Sequence, residues 1–531
     1  MGSYRMSKQL VKATSVVISM TFISRIFGFI RDMVTANFFG ASAAFDAFSV
    51  AFKIPNFMRR LFAEGSFSQA FVPVLAEYEK TKSQAELKLF VDAMCGTLGL
   101  VLFVVTVLGV IGAPWIVHLF APGFVSSSRG DRFDLAVTLL RITFPYLMLI
   151  SLTAFSGAIL NTYSRYWVAA FTPVLLNICM IVAVMWLSPH FKVPITALAW
   201  GVCIAGIVQL FFQLPFLKHI KLLPRPTIAF SNQGVKRVLK LMVPALFGVS
   251  VGQVNLLIDT LFASLLVVGS VSWLYYADRL MEFPLGVFGV AISTVILPHL
   301  SRHHAAASHA VFSLTLDWAL RAVCLVGVPA SLVLAFLSGP MLSTLFQHGH
   351  FDGHDVMMAR KSVIAFALGI TPFMLVKILA AGFYAKQAMR IPVRVGVIAM
   401  VVNAIMNVLL IGSLAHAGIA LATSLAAIVN TGLLFYLLRA QGFYEPRVGW
   451  LRFAMRLLMA NAVLATWLWV EGGALEMWLS HETLWRALHL AWLLLSSILL
   501  YLTTLWLTGV RLHHLLMPDV SLHQTLERAV S

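Results

Sequence analysis

Charged residues are scarce in this sequence. Of its 531 residues, 11% are Asp, Glu, Lys or Arg and 60% are hydrophobic. A soluble domain carries about 25% charged residues, so the composition excludes a water-soluble enzyme. At about 20 residues per crossing, the apolar fraction is large enough for a dozen or more membrane-spanning helices. The sequence therefore predicts an all-α polytopic membrane protein.

Acidic residues are scarcer than basic ones. The chain has 38 Lys and Arg but 21 Asp and Glu, a formal net charge of +17. In a soluble protein this excess would indicate nucleic acid, but in a membrane protein it is typical of cytoplasmic loops beside anionic lipids. We therefore expect membrane lipids, and no nucleic acid, as partners.

Cysteines and catalytic motifs are also few. The four cysteines, Cys95, Cys179, Cys203 and Cys324, lie in apolar runs without metal-ligand spacing and are typical of small buried hydrophobic residues. The sequence contains no Walker A, GxSxG or HExxH motif and no carboxylate pair of catalytic spacing. These absences favour a transporter over an enzyme, and an ATP-driven transporter would need a separate subunit.

Apolar windows of about 19 residues predict about fourteen transmembrane helices. Pro55 and Pro284 indicate that the second and eighth could be bent. The predicted spans are 13–38, 45–76, 88–120, 133–160, 166–188, 194–216, 236–267, 271–300, 311–338, 356–384, 391–412, 417–438, 450–471 and 484–508.

Basic residues concentrate in alternate loops. One set of loops holds most of them, whereas the opposite set holds chiefly Arg129, Arg132, Lys192 and Arg486. Because loops rich in Lys and Arg stay in the cytoplasm, this bias predicts both termini on the cytoplasmic side of the membrane. An even number of helices agrees with that orientation.

The chain also matches itself at an offset of about 226 residues. Asn177 falls on Asn403, and "APWIVHLFAPG" aligns with "SGPMLSTLFQHG". The repeated unit contains about six helices, so the second copy enters the membrane from the same side as the first. This predicts two parallel repeats around a central cleft, the arrangement used for alternating access. The predicted N-terminal lobe is residues 1–225 with helices 1–6, and the predicted C-terminal lobe is residues 226–445 with helices 7–12. Residues 446–510 are predicted to form two additional helices, which could form a groove for a lipid tail. Residues 511–531 are predicted to be a cytoplasmic tail.

Ionisable residues inside the predicted spans concentrate on the first two helices of each lobe. Each costs about 2.5–3.5 kcal/mol to insert, so such residues indicate function by default. They are Arg25, Arg31 and Asp32 in the first helix, Asp46, Lys53, Arg59, Arg60 and Glu64 in the second, and Asp278, Arg279 and Glu282 in the eighth.

An excess of arginine in a low-dielectric cleft is suited to a phosphate or diphosphate, since guanidinium groups bind its oxygens bidentately. Arg25 and Arg31 are six positions apart, about 9 Å along a helix. We predict that Asp32 and Asp278 orient neighbouring arginines. Alternatively, residues near the end of the second helix extend to the headgroups or pair with each other; these are Lys53, Arg59, Arg60 and Glu64.

A second polar group could bind a coupling ion. Asn403 and Asn407 share a helix face, Thr423 lies on the next helix, and Asp259 lies in the seventh. Their oxygens could bind Na⁺, or Asp259 could carry a proton. The alternative is interhelical hydrogen bonding by these polar side chains.

Several segments resemble the MurJ/MviN family of bacterial lipid II flippases, within the multidrug/oligosaccharidyl-lipid/polysaccharide exporter superfamily. They are "SRIFGFIRDMVTANFFG", "DAFSVAFKIPNFMRRLFAEGSFSQAFVPVLAEY", "WLYYADRLMEFPLGVFGVAISTVILPHLS" and "AAGFYAKQAMRIPV". The resemblance extends from Met6 to about Leu507. It implies fourteen transmembrane helices in two lobes and transport of an undecaprenyl-diphosphate-linked disaccharide-pentapeptide to the periplasmic face.

The resemblance also assigns residues. It implies that the essential cavity arginines are Arg25, Arg31, Arg59 and Arg279, with Asp32, Asp46 and Glu64 as the matching acids. Asp46, Glu64, Asp278 and Glu282 are predicted to gate or support the cavity. The set Asp259, Asn403, Asn407 and Thr423 matches positions that can form a sodium site in the family, although they vary among members.

The sequence thus predicts a lipid II flippase that acts as a monomer and is driven by membrane potential or by a Na⁺ or H⁺ gradient. Cell-wall synthesis or division proteins are candidate partners. Three alternatives remain open: a drug or cation exporter of the same superfamily, a flippase for another polyprenyl-diphosphate glycan, and a non-transporting cell-wall scaffold. The buried arginines argue against the first, because cationic drugs favour an acidic or aromatic cavity.

Overall fold

The computed structural model is predominantly helical in the part of the chain that it describes. It describes residues 2–125, 130–289, 296, 300 and 309–510, without the side chains of residues 2–18, 62–64, 130, 247–252 and 309. Every regular element in these ranges is a helix. The all-α prediction is therefore confirmed. The predicted tail, residues 511–531, lies outside the described residues.

The chain divides into two compact units. The first extends to Ser272 and includes His348–Phe351, and the second contains Trp273–Gln347 and the chain from Asp352 onward. In chain order, the α-helices of the protein begin with α1 Gly2–Phe39, α2 Ala43–Arg59, α3 Ser68–Thr81, α4 Gln84–Ile111, α5 Ala113–Phe120, α6 Gly130–Thr143, α7 Tyr146–Thr162, α8 Tyr166–Val182, α9 Thr196–His219 and α10 Gln233–Ser264. They continue with α11 Ser270–Pro284, α12 His309–Phe336, α13 Ser338–Phe346, α14 Gly353–Ala385, α15 Arg390–Ala440, α16 Trp450–Glu471, α17 Leu475–Ser480 and α18 Thr483–Leu507.

Nine helical stretches among the described residues are long and apolar enough to cross a membrane. The longest, Arg390–Ala440, contains both predicted spans 391–412 and 417–438. The chain changes direction between them at Ala415, whose φ of 49° and ψ of −129° are not helical. The multi-span prediction is confirmed, and the count of fourteen remains a prediction.

Proline and glycine interrupt two runs that the sequence predicts as continuous. The run 88–120 breaks at Gly112, and a new helix begins there with Pro114 in its first turn. The run 133–160 breaks before Tyr146, where Pro145 precedes the new helix. Proline has no amide hydrogen to continue a helix but is accommodated in a first turn, so both breaks have a local cause.

The two runs predicted to bend both contain a π-helical segment after the proline. Arg60–Phe67 follows the helix that contains Pro55, and Leu285–Gly289 follows Pro284 directly. π-Helical turns often occur at functional sites. These two segments begin 225 residues apart, close to the repeat offset.

A second pair of elements agrees with the internal repeat. The short helix α5 ends at Phe120 and the short helix α13 ends at Phe346, 226 residues later. Each follows a long apolar helix, α4 or α12. Equivalent local structure therefore recurs at the offset found in the sequence. The lobe boundaries at residues 225, 445 and 510 remain predictions.

An aromatic core in the first unit holds α3 against α4 and α7. The ring of Phe71 lies 5.0 Å from Phe67, 5.1 Å from Phe155 and 5.9 Å from Phe90, measured between centroids. All four side chains are buried. This packing fixes the end of the π-helical segment Arg60–Phe67 and the start of α3.

In the second unit, Asp317 of α12 anchors the linker between α15 and α16. Its carboxylate accepts hydrogen bonds from the Tyr444 hydroxyl and the Trp450 indole at 2.7 Å each, and from the Arg447 amide at 3.2 Å. Burial and the bond to Asp317 raise the pKa of Tyr444 above its usual range. The helix α16, the first of the two predicted additional helices, is thus attached at its start to α12.

Arg486 is expected to be needed for the stability of the second unit. It is 7% exposed and donates to the carbonyls of His481 at 2.7 Å, Ser343 at 3.0 Å and Leu479 at 3.1 Å. Hydrogen bonds from a charged group contribute about 1.5–3 kcal/mol each, so Arg486→Ala should cost at least about 2 kcal/mol of folding free energy.

Thermal unfolding of the purified protein in detergent measures this effect. The matched control is Arg439→Ala, because Arg439 is exposed at the end of α15. We expect a lower melting temperature for Arg486→Ala alone. Equal melting temperatures for the two variants would contradict the assigned role of Arg486.

Candidate functional site

Arg31 is held in place by two side chains of the first unit. Its Nε and Nη2 atoms donate to Oδ1 of Asp32 at 2.9 and 2.6 Å, and its Nη1 donates to Oδ1 of Asn177 at 3.0 Å. Asn177, on α8, in turn donates to the carbonyl of Ser24 at 3.1 Å. Arg31 and Asp32 are 8% and 1% exposed. This contact is the one that the predicted orienting role of Asp32 requires.

Arg25 differs from Arg31 in its surroundings. It lies on the same helix and is half-buried, and no described residue forms a hydrogen bond or ion pair with its side chain. The guanidinium of Arg31 is paired with a carboxylate, so the charge of that pair sums to zero. Arg25 thus differs from Arg31 in having no ionic partner among the described residues.

Arg59 lies at the end of α2, where the π-helical segment begins. Its Nε donates to Oδ1 of Asn56 at 2.9 Å, and its side chain is half-buried. It forms part of the wall of a cavity of about 360 Å³ whose other walls include residues of α7, α8 and α9. Nearby on α2, the Lys53 ammonium donates to the Thr260 hydroxyl at 3.2 Å. Arg59 is thus a guanidinium on the wall of this cavity.

Asp46 is a fully buried acceptor for four donors of the first unit. It accepts from the Gly269 amide at 2.8 Å, from the Ser272 amide at 2.9 Å and hydroxyl at 2.6 Å, and from Arg132 at 3.3 Å. Arg132 is 3% exposed and lies 4.6 Å above the ring of Phe124. The carboxylate joins α2, α6 and the start of α11.

Asn177 and Arg132, partners in these contacts, were not among the sequence-predicted site residues. Asn177 appeared there only as a position of the repeat, and Arg132 only as one of the few basic residues on the predicted outer side. The scarcity of basic residues on that side could have indicated a structural role for Arg132, because a lone arginine outside the basic loops needs a local partner.

The predicted residues of α11 lie in the second unit. Arg279 Nη1 donates to Oε2 of Glu282 at 2.8 Å, and its guanidinium lies 4.8 Å from the ring centre of Tyr275. Asp278 is half-buried on the same helix. Glu64 belongs to the π-helical segment Arg60–Phe67, and its side chain lies outside the described residues.

The predicted ion-binding residues come from both units. Asn403 and Asn407 are fully buried in the first half of α15, and the Thr423 hydroxyl of its second half lies 3.4 Å from Oδ1 of Asn403. Asp259 lies on α10 in the first unit. No group of three or more His, Cys, Asp or Glu residues within the described ranges is arranged to hold a metal ion. Asn403, Asn407 and Thr423 contribute amide and hydroxyl oxygens in the second unit.

The family model described as lipid II flippase MurJ matches residues 35–489. The chain belongs to the lipid II flippase MurJ family. It is 45% identical over 511 residues to the probable lipid II flippase MurJ of Haemophilus influenzae, a match that covers 94% of this chain and 100% of that protein. It is also 45% identical over 460 residues to the lipid II flippase MurJ of Burkholderia cenocepacia, covering 86% and 89%.

A solved structure of the same family has a similar fold. The structure of lipid II flippase MurJ in an inward closed conformation matches with a TM-score of 0.77 and 28% identity, and covers 92% of this chain and 97% of that one. Membership of the MurJ family confirms the resemblance seen in the sequence. It places this protein among membrane transporters and not among enzymes.

Proposed function

We propose that this protein transfers lipid II, an undecaprenyl-diphosphate-linked disaccharide-pentapeptide, from the cytoplasmic to the periplasmic leaflet of the bacterial inner membrane. The observation that carries this proposal is the match to the MurJ family over residues 35–489. The transferred lipid would then serve peptidoglycan synthesis, with cell-wall synthesis or division proteins as candidate partners. We propose a monomer with both termini in the cytoplasm.

The diphosphate is the part of lipid II that the arginines are suited to bind. Arg25 supports this role because it is half-buried and has no ionic partner among the described residues, and Arg59 because it lines a cavity. Guanidinium groups bind phosphate oxygens in pairs of parallel hydrogen bonds. In this proposal Arg31 is held by Asp32, and Arg279 contributes from the second unit.

Alternating access would carry the headgroup across while the prenyl tail stays in lipid. Moving one elementary charge through 100 mV changes the free energy by about 2.3 kcal/mol, which is enough to bias a cycle with a charged cavity. We propose membrane potential or an ion gradient as the driving force. The coupling ion would be Na⁺ bound by Asp259, Asn403, Asn407 and Thr423, or a proton on Asp259.

A strain depleted of its own lipid II flippase tests the proposal. The wild-type protein is expressed to a known membrane level, and periplasmic lipid II is scored by an externally added enzyme that cleaves it. We expect expression to restore cleavage. If the folded protein is present and cleavage is not restored, the substrate is another polyprenyl-diphosphate glycan or the protein is a scaffold.

A further inference from the structure

The cavity beside Arg59 contains two buried glutamines that the arginine site does not use. Gln209 and Gln213 lie one helical turn apart on α9, and each is 1% exposed. Both line the cavity of about 360 Å³ together with Thr172 of α8 and Gly157 of α7. This volume is within the range of small-ligand sites, about 300–1,000 Å³.

Hydrogen bonds to Thr172 fix the orientation of both amides. Nε2 of Gln209 donates to the Thr172 carbonyl at 2.9 Å, and a carbonyl can only accept. Nε2 of Gln213 lies 3.0 Å from the Thr172 hydroxyl oxygen. That hydroxyl donates its hydrogen to the Val168 carbonyl at 2.9 Å, so its oxygen can only accept from Gln213. Each glutamine therefore turns its Oε1 atom away from Thr172.

The two Oε1 atoms are buried acceptors without donors. No described residue donates a hydrogen bond to Oε1 of Gln209 or of Gln213. A buried carbonyl oxygen in this condition costs about 1–3 kcal/mol, and most such groups in proteins are paired. Two of them on one wall of a cavity are matched to a ligand that brings hydrogen-bond donors.

We propose that this cavity binds the sugar next to the diphosphate of the transported lipid. Hydroxyl or amide N–H groups of the sugar donate to Gln209 and Gln213, while Arg59 on the same cavity wall binds the adjacent phosphate. A sugar phosphate carries hydrogen-bond donors on its sugar next to an anionic phosphate. The cavity offers the complementary groups, the Oε1 acceptors of Gln209 and Gln213 and the cationic guanidinium of Arg59. This inference rests on the proposed function, because it assigns one part of that substrate to one site.

The Gln213 amide lies close to Gly157. A Cβ atom at Gly157 would lie 3.3 Å from Cβ of Ala169, 3.7 Å from Nε2 of Gln213 and 3.8 Å from its Oε1. A methyl group there would occupy space in front of the amide without a clash below 3.0 Å. Gly157→Ala therefore narrows the cavity while retaining helical φ and ψ.

Binding of two lipids to the purified protein tests the assignment. The probes are lipid II and undecaprenyl diphosphate, which lacks the sugar. We expect Gln213→Leu and Gly157→Ala each to weaken lipid II binding about tenfold and to leave undecaprenyl diphosphate binding within about twofold. Gly99→Ala is the matched control, because a Cβ at Gly99 of α4 has no atom within 4 Å.

The outcomes separate this inference from the proposed function. Unchanged lipid II binding in both variants, or an equal loss for both lipids, would overturn the sugar site. If Gln213→Leu weakens Na⁺ binding and leaves lipid II binding unchanged, the cavity is a cation site and the sugar assignment is overturned. If the wild type binds neither lipid, the proposed function itself fails. Should Gln213→Leu not fold, Gly157→Ala decides alone.

Discussion

Arg25→Ala is expected to weaken binding of undecaprenyl diphosphate by at least about a hundredfold. Arg25 is half-buried in α1, and no described residue neutralises it. In a low-dielectric setting its guanidinium would form two charge-assisted hydrogen bonds with phosphate oxygens, each worth about 1.5–3 kcal/mol. A tenfold change in affinity corresponds to about 1.4 kcal/mol. The measurement is equilibrium binding to the purified protein.

The matched control for Arg25 is Arg237 of the same unit. Arg237 pairs with Glu77 at 2.9 Å on the surface, where both side chains are about half exposed, and exposed ion pairs contribute little. Arg237→Ala should leave binding unchanged, and Arg25→Lys should retain part of it, because lysine keeps the charge but lacks the planar fork. Full binding by a folded Arg25→Ala protein would remove Arg25 from the site.

Asp46→Asn is expected to destabilise the first unit almost as much as Asp46→Ala. All the recorded partners of Asp46 are donors: two backbone amides, the Ser272 hydroxyl and Arg132. An asparagine would turn its own NH₂ group towards one of these donors and would leave Arg132 without the negative charge. Breaking a buried ion pair on one side costs about 3–5 kcal/mol. We expect a fall in melting temperature on the order of 5–10 °C.

Asp134→Asn is the matched control, since Asp134 is an exposed aspartate of α6, the same helix as Arg132. Thermal unfolding of wild type and the three variants in one detergent measures the effect. A melting temperature for Asp46→Asn that equals that of Asp134→Asn would show that the hydrogen-bonded carboxylate is not needed for folding.

The fold was largely predictable because hydropathy records membrane crossings directly. Breaks were less predictable. The turn at Ala415 was predicted, because it falls between the predicted spans 391–412 and 417–438. The breaks near Pro114 and Pro145 were not predicted, because the runs 88–120 and 133–160 are predominantly apolar and hydropathy alone does not show where such a run is interrupted.

The candidate site was predictable in its charges and less so in its contacts. Buried arginines can be read from a sequence because charges are rare in spans. The sequence could not distinguish Arg31, which pairs with Asp32 and Asn177, from Arg25, which has no such pairing among the described residues. It also gave no sign of Gln209 and Gln213, because uncharged amides are common in helices and only their unpaired oxygens identify them.

The most direct test of the central claim is transfer of lipid II by the purified protein in liposomes. An enzyme added outside cleaves only the lipid II of the outer leaflet, so transfer appears as cleavage beyond the initially exposed fraction. We predict complete cleavage with wild type and with Arg237→Ala, and cleavage limited to the initial fraction with Arg25→Ala. Equal cleavage with wild type and Arg25→Ala would contradict diphosphate binding by Arg25, and no transfer by the folded wild type under an imposed potential or ion gradient would contradict the flippase.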